Sequence, residues 1–541
     1  METYDFIVVG AGSAGCVLAD RLSASGRHKV LLIEAGGSDR RFRIKVPLGY
    51  GKTYDDPSLN WCYTAKADPG LANRTTFWPR GRVIGGSSSI NAMAYLQGLP
   101  HDFDDWETAG AVGWNWQSVR ATYSQLETQV APSEAEKPSF GRVHVSDTSA
   151  RMHPFSAHFL QAARQAGWPV VDDLNGSKRE GIARLRSTVK NGRRWSAADA
   201  FLRPALKRNN LRVVSNALVE RVVLQNGVAT GVEYTQGTQR VQARAAREVI
   251  VSAGAINSPQ LLQISGIGPA EVLQRHGIKV HANLSQVGQG LQDHLGISYQ
   301  FAATEPTLNN SLGNWPGKIA AGLQYLLTRA GPLSVPINQV SGFVRSDQGQ
   351  RADLQMYCNP MSYTMRADGK PDVASKAGFL ICAQPCRPTS RGEVTITSAD
   401  PKVGPDIRPY SLSTNDDCAL AIAAGRAAQK LAGTPAIQSV SRDGPDIAAM
   451  SDNDLLADFQ ARAGSVYHAS CTCRMGASEK SSVLDARLRV HGVAGLRVID
   501  ASSFPNVTSG NTNAPVMMLA ARGAEMILQD TAHPIRQGGA I

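Results

Sequence analysis

Apolar residues fall along this chain in short runs separated by glycine-rich turns. Phe6 to Val9 are four consecutive apolar residues closing "METYDFIVVG". So short and continuous a run predicts a strand buried on both faces. Gly10, Gly12 and Gly15 follow, then Val17, Leu18 and Leu22 on one helical face, then a second apolar run from Val30 to Ile33. Strand, tight turn, helix and strand are therefore predicted in that order. Further on, Val249 to Ser252 read as a buried strand ending at Gly254. A helix follows, with Ser258 as its cap, Pro259 at its first position and Gly266 as its stop. "LRVVSNALVERVVL" (211–224) alternates like a strand pair. Near the C-terminus Val498 and Ile499 end a strand at Asp500. Asn513 then caps a helix whose Met517, Ala520, Ala521, Ala524 and Ile527 share one face. Residues 301–454 are less legible, with a strand-like "GEVTIT" (392–397) and a helix-like stretch at 417–431.

At 541 residues the chain has room for three or four units of roughly 150 residues. Its composition, 42% hydrophobic and 19% charged, is that of a globular protein. No window reaches the roughly 18 uninterrupted apolar residues of a membrane span. The opening segment is already a strand, not a secretory leader, so a cytoplasmic location is expected. The net charge of +11 comes from scattered basic residues without a long run. That argues against nucleic-acid binding; a basic surface suits a membrane-peripheral contact or an anionic partner, but is more often only a solvated exterior. Eight dispersed cysteines do not form a secreted disulfide framework, and Cys382 and Cys386 have no second pair to complete a zinc site, so no metal is expected.

The N-terminal glycines form G-x-G-x-x-G directly after a strand. The first permits the turn, the second lets the backbone approach a pyrophosphate, and the third lets helix and strand pack closely. Glu34 ends the second strand, where a carboxylate can accept both ribose hydroxyls. An acid there with no arginine beside it disfavours NADP. The motif does not separate NAD from FAD.

"WPRGRVIGGSSSINAMAYLQG" (78–98) is a loop that no nicotinamide enzyme needs. Gly85, Gly86 and Ser87 to Ser89 remove bulk so that backbone can lie against a planar ring. Asn91 offers that ring's edge a donor and an acceptor. This loop, "GAINSPQLLQISGIGP" (254–269), "VGQGLQDH" (287–294) and the two C-terminal segments resemble the signature stretches of the glucose–methanol–choline (GMC) oxidoreductase family, nearest its bacterial alcohol dehydrogenase and choline dehydrogenase-like branch.

The resemblance implies a discontinuous, Rossmann-like α/β FAD-binding domain (1–150, 205–300 and 455–541). It also implies an α+β substrate domain on a six-stranded antiparallel sheet (151–204 and 301–454). It assigns the cofactor to Gly10, Gly12, Ser13, Ala14, Gly15, Glu34, Ala35, Val83, Gly86, Ser87, Asn91, Ala92, Met93, Ala94, Val219, Asp500, Ala501, Thr512 and Asn513. Val219 would set its backbone against the adenine. The "SGNTN" loop and the helix N-terminus behind it would face the flavin pyrimidine, favouring its reduced, anionic form. Some members tether flavin through a histidine just before the asparagine; this chain has Ile90 there, so FAD is expected to be non-covalent.

"GSVYHASCTCRMG" (464–476) places His468 near Cys471 and Cys473. Zinc would need a fourth convergent ligand, and a thiol redox pair would be spaced C-x-x-C, so the cysteines read as small buried residues. By the resemblance, His468 is the catalytic base and Asn511 its partner. An imidazole suits that task near neutral pH: an alcohol's carbon releases hydride only when its O–H proton also leaves. Asn511 would orient the same oxygen while the C–H bond faces flavin N5. The expectation is oxidation of a primary alcohol to an aldehyde, electrons passing to a quinone or other non-oxygen acceptor. The alternative is an oxidase reducing O2 to H2O2, with choline or an aromatic or furanic alcohol as substrate. An NAD-linked dehydrogenase would leave "GGSSSIN" and "SGNTNAP" without purpose, and a non-catalytic flavoprotein would not need His468 and Asn511. His294 reads as a satisfied structural histidine. No role is assigned to His28, His101, His153, His158, His276, His281, His491 or His533.

Overall fold

The computed structural model describes residues 2–130, 141–347, 349–365 and 371–532. Its first sheet grows from the N-terminal run. Strands Leu211–Val214, Val30–Ile33, Glu2–Val9 and Gln239–Val251 lie side by side in parallel, and Leu496–Val498 joins the far edge of the last. Phe6, Ile7 and Val8 are fully buried, as a parallel strand covered on both faces requires. Each such side chain contributes about 1.5–3 kcal/mol by leaving water. Helices Ser13–Ser23 and Asn513–Ala532 supply part of the cover and pack against each other. The strand ends Val9, Ile33 and Val251 point the same way, which creates the crevice where such sheets bind ligands.

Leu211–Val214 and Ala217–Gln225 are both strands, as the alternation predicted, but they do not pair with each other. The first bonds to Val30–Ile33 and the second to Val228–Gln236, which in turn pairs with the first half of Gln239–Val251. Asn216, at φ 54° between them, makes the change of direction.

The second sheet is antiparallel. Its order is Ser441–Asp443, Leu295–Ala303, Gly378–Pro385, Leu354–Asn359, Val340–Val344 and Gly181–Arg184. Helices Ser156–Gln165 and Asn415–Ala432 bury Phe159, Ala421 and Ala428 against it. The two-part architecture, Rossmann-like α/β plus α+β, is thus present. The division drawn from the sequence at 300/301 passes through Leu295–Ala303. That at 454/455 passes through helix Asp452–Arg462, whose Phe459 belongs to the second core. Gly392–Thr395, within "GEVTIT", joins neither large sheet and pairs with Gln289–Leu291 and Asp406–Arg408.

Two helix starts differ from expectation. The helix after Val251 runs Gly254–Ile264, so Pro259 lies inside it and not at its first position. Proline there leaves the Ala255 carbonyl without its helical donor. The Thr472 hydroxyl donates to that carbonyl at 2.6 Å and replaces the missing bond. Ser258, instead of capping, accepts from the Ala253 N–H and donates to Asp500. At the C-terminal helix the first backbone bond runs from Val516 N to Thr512 O, so Asn513 lies within the first turn. Its side chain is turned instead toward Ser13, whose hydroxyl donates to Asn513 Oδ1 at 2.7 Å.

Candidate active site

The two glycine motifs meet backbone to backbone. Gly10 adopts φ +97°, and a Cβ there would stand 2.6 Å from the Ser252 carbonyl. A Cβ on Gly15 would stand 1.8 Å from Gly10 O, and one on Gly86 2.7 Å from Gly12 Cα. Gly85 N donates to Ala11 O at 2.7 Å, locking the "GGSSS" turn onto the fingerprint. Gly12 differs from its neighbours: a Cβ there would meet no protein atom within 4 Å, and the residue borders a cavity of about 550 Å³.

That cavity runs from the strand ends to the C-terminal loop. Of the sequence-assigned residues it is lined by Gly10, Gly12, Ser13, Glu34, Ala35, Gly86, Ser87, Asn91, Ala92, Met93, Ala94, Val219, Asp500, Ala501, Thr512 and Asn513, together with His468 and Asn511. Ala14, Gly15 and Val83 do not reach its wall. Ala14 and Gly15 are buried in the first helix, and Val83 packs with Ile44, Leu59 and Ile90. His533 lies outside the described residues.

Glu34 sits at the nucleotide end, buried, with Oε2 accepting from Ala11 N and Oε1 from Gly36 N, both at 2.8 Å. Each oxygen keeps a lone pair for a ribose hydroxyl. Burial pushes this carboxyl up to about 7, against the pull of the two N–H groups. Asn91 is more committed than its sequence suggested. Its Oδ1 accepts from Arg194 Nη1 at 2.7 Å and from Met93 N at 3.0 Å, leaving chiefly its amide N–H for a ligand. Arg194 is itself buried, also donates to the Ile44, Ser88 and Asn91 carbonyls, and is lowered to about 9 by desolvation. Nothing in "NGRRW" signals that role. An open face at Gly12, free lone pairs on Glu34 and a helix N-terminus at Asn513 fit a phosphate-bridged adenine dinucleotide.

At the other end, the "QDH" run and the His468 segment are neighbours. Leu295–Gly296 pair with Gly464–Ser465, and Gln292 bridges Ser470. Asp293 accepts from the His468 N–H at 2.6 Å and from the Ser465 hydroxyl. Burial raises Asp293 to about 6. Tyr467 takes φ +71°, rare for an aromatic residue, and is held there by Ser465 Oγ on its N–H and by Arg80 on its carbonyl. Downstream, the N–H groups of Cys471 and Cys473 donate to Ala501 and Ser502, which ties this loop to the "SGNTN" side. Both cysteines are fully buried.

His468 and Asn511 therefore come together: His468 Nε2 lies 3.0 Å from Asn511 Nδ2. Tyr357 OH donates to Asn511 Oδ1 at 3.2 Å, which fixes the amide with its nitrogen toward the histidine. Behind His468 stands His294, a buried histidine with both ring nitrogens satisfied, one of them by His468 itself. Its Nδ1 is 2.9 Å from His468 Nδ1, with the rings near perpendicular, and its Nε2 is 2.7 Å from the Cys386 carbonyl. A carbonyl only accepts, so His294 carries its proton on Nε2. Burial lowers His294 to about 4, so the ring is neutral and its Nδ1 is a lone pair. His468 must then donate from Nδ1, which leaves the Nε2 lone pair to accept from the Asn511 Nδ2–H at the cavity wall. Desolvation, followed by His294 and Arg80, holds the His468 pKa well below 6.5. A motif match to "VGQGLQDH" pointed at His294, but only its contact shows what it does.

The cavity wall around this pair includes Tyr357, Asn359, Cys382, Gln384, Asn338 and Tyr467. Among the described residues its only acids are Glu34 and Asp500. Asp500 is engaged by Gly254 N, Ser258 and Ser502 N.

Comparison with known proteins shows what the chain as a whole is similar to. The GMC oxidoreductase family pattern matches residues 4–296 with its N-terminal part and 388–520 with its C-terminal part. Mitochondrial choline dehydrogenase of Mus musculus is 40% identical, covering 97% of this chain and 89% of that protein. An alcohol dehydrogenase (acceptor) of Pseudomonas putida is 38% identical, covering 97% and 96%. Among solved structures, pyridoxine 4-oxidase from Mesorbium loti superposes with a TM-score of 0.87 at 27% identity, over 98% of this chain and 99% of that one.

Proposed function

The chain belongs to the GMC oxidoreductase family and acts on alcohols with FAD as cofactor; within that frame we propose that it oxidises an uncharged primary alcohol to the aldehyde, with His468 as the base. The observation that carries this is the His468 Nε2 lone pair beside Asn511 Nδ2 at the wall of the nucleotide cavity. Bound FAD supplies the hydride acceptor. The residues do the rest. An alcohol oxygen bound beside both side chains, in place of their direct contact, donates its proton to Nε2 and accepts from Nδ2. The proton taken by Nε2 makes an imidazolium whose Nδ1–H still bonds His294, so the ring keeps its orientation through the transfer. Tyr357 keeps the Asn511 nitrogen aimed at the oxygen. Ile90, buried at the cavity wall where a tethering histidine could stand, offers no nucleophilic atom, consistent with non-covalent FAD.

The lowered His468 pKa has a kinetic signature. A base with a depressed pKa stays unprotonated as the pH falls, so activity is lost only below its own value, well under 6.5. Asp293, near 6, would add a second acid limb. In an Asp293→Asn variant the remaining limb of kcat/KM reports His468 and lies well below pH 6.5. A limb at 6.5 or above would contradict the assignment.

Substrate charge follows from the lining. A quaternary ammonium is held by a carboxylate or by open aromatic faces. Of the two acids among the described lining residues, Glu34 lies at the nucleotide end and Asp500 is held by Gly254 N, Ser258 and Ser502 N, and the Trp61 ring is covered by the Arg82 guanidinium at 4.9 Å. Around the pair remain neutral amides, Cys382 and the Tyr357 and Tyr467 side chains, and the Arg80 guanidinium also lines the wall, a cation that disfavours an ammonium and suits an uncharged alcohol. With a panel of alcohols and a dye acceptor, kcat/KM for the best neutral primary alcohol exceeds that for choline by roughly 10²-fold or more, the equivalent of one buried charge contact. A preference for choline would overturn this reading. Scoring the same panel for peroxide separates a dehydrogenase, which we favour from the Pseudomonas putida relative, from an oxidase like the superposed pyridoxine enzyme.

A further inference from the structure

Helix Trp315–Thr328 turns its apolar face outward. Trp315, Ile319, Leu323, Leu326 and Leu327 are 54–83% exposed, while the inward side buries only Ala321 and Tyr325. At 100° per residue the five fall within an arc of about 120°, a continuous stripe. Phe42, 59% exposed, stands beside it, its ring 6.4 Å from that of Tyr325. An ordinary surface helix packs such a stripe inward. This one leaves it without a partner among the described residues.

The surroundings are basic. Between Glu305 and Asp347 the chain has no acidic residue, and the helix carries Lys318 and is followed by Arg329. Arg40, Arg41 and Arg43 flank Phe42 and are exposed. Several acids on adjoining segments are already occupied: Asp39 and Asp199 pair with Lys45 and Arg203, and Asp56 is linked to Arg41 through the Ser58 hydroxyl. No described helix is long and apolar enough to cross a membrane.

We propose that this face docks the protein on an anionic lipid surface, with the stripe lying in the interface and the arginines on the headgroups. An amphipathic helix with bulky apolar residues, an aromatic anchor and flanking cations has that physical chemistry. A second copy is the poorer occupant. A two-fold contact through the stripe would bring Arg40, Arg41, Lys318 and Arg329 of both copies together, in a chain whose net charge is already +11. Docking also places the catalytic cavity next to the lipid. Tyr50 packs under the helix, in one cluster with Ala321 and Ile337, and lines the cavity as well. An apolar alcohol or a lipid-soluble acceptor would then arrive from the bilayer.

The test is sedimentation of the full-length holoenzyme with vesicles, which reads binding without turnover. With phosphatidylcholine mixed with phosphatidylglycerol the protein pellets, it does so less with phosphatidylcholine alone, and added salt releases it. Leu323→Glu with Leu327→Glu lowers the partition coefficient by roughly 100-fold, about tenfold per leucine kept out of the interface, and leaves oxidation of a water-soluble alcohol unchanged. Arg40→Gln with Arg41→Gln weakens binding to the mixed vesicles only. The proposal is overturned if the wild-type protein stays in solution with the mixed vesicles or if the leucine variant pellets equally well. It is also overturned if the wild-type protein is a dimer that the leucine variant converts to monomer without any vesicle binding, since the occupant would then be a second copy.

Discussion

With His468 replaced by alanine, the bound flavin of this protein is reduced by alcohol on the order of 10²–10⁴-fold more slowly, the usual loss of a positioned general base. The yellow colour persists. The two halves of that expectation come from different parts of the cavity. The groups that fit the nucleotide gather around Gly12, Glu34 and the Asn513 helix, and none depends on the imidazole. The proposed acceptor of the proton, in contrast, is the His468 Nε2 lone pair beside Asn511. His468→Gln keeps the size and some hydrogen bonding but cannot take up a proton, so it belongs with alanine. Anaerobic stopped-flow absorbance measures the step directly. Wild-type reduction rates in His468→Ala would remove the base from this account.

Gly12→Val has the second-largest effect and acts on the opposite end. An added carbon at this position meets no protein atom within 4 Å, so the variant folds and keeps its stability. The valine instead projects into the space a pyrophosphate would fill. Losing two charge-assisted hydrogen bonds at about 1.5–3 kcal/mol each weakens FAD binding by roughly 10²–10⁴-fold. The purified variant is therefore colourless, with near-wild-type secondary structure. Gly15→Val is the contrast. Its Cβ would stand 1.8 Å from the Gly10 carbonyl, so the variant fails to fold rather than merely losing the cofactor. Circular dichroism with the flavin-to-protein absorbance ratio separates the two. A yellow Gly12→Val protein with normal flavin content would show that the open face at Gly12 is not where the phosphates lie.

Much of this was readable in the chain because it is encoded locally. Four apolar residues, three glycines at fixed spacing and a terminal acid specify strand, turn, helix and strand wherever they occur, and the structure places them so. The long signature loops identified the family for a similar reason: their glycines and small residues answer a backbone requirement at that spot. The Pro259 position was misread because capping and interior proline look alike until the Thr472 hydroxyl, 213 residues downstream, is seen to replace the lost bond. Asn91 was read with two free groups because Arg194 leaves no local trace of its approach.

The sequence by itself pointed to the nucleotide crevice, the cofactor and the two residues proposed to meet the substrate. Only the tertiary structure decided the state of those residues. His294 and His468 are 174 positions apart, and which nitrogen of the base is free depends on a chain of donors ending at the Cys386 carbonyl. The same holds for charge and cover. A sequence shows that Glu34 and Asp500 are acidic, but not that other groups already hold them. The apolar stripe of 315–328, and that no other part of the described protein lies over it, emerge only in the structure. Hydrogen-bond partnership and burial are set by whatever packs against a group, and that is settled only when distant segments come into contact.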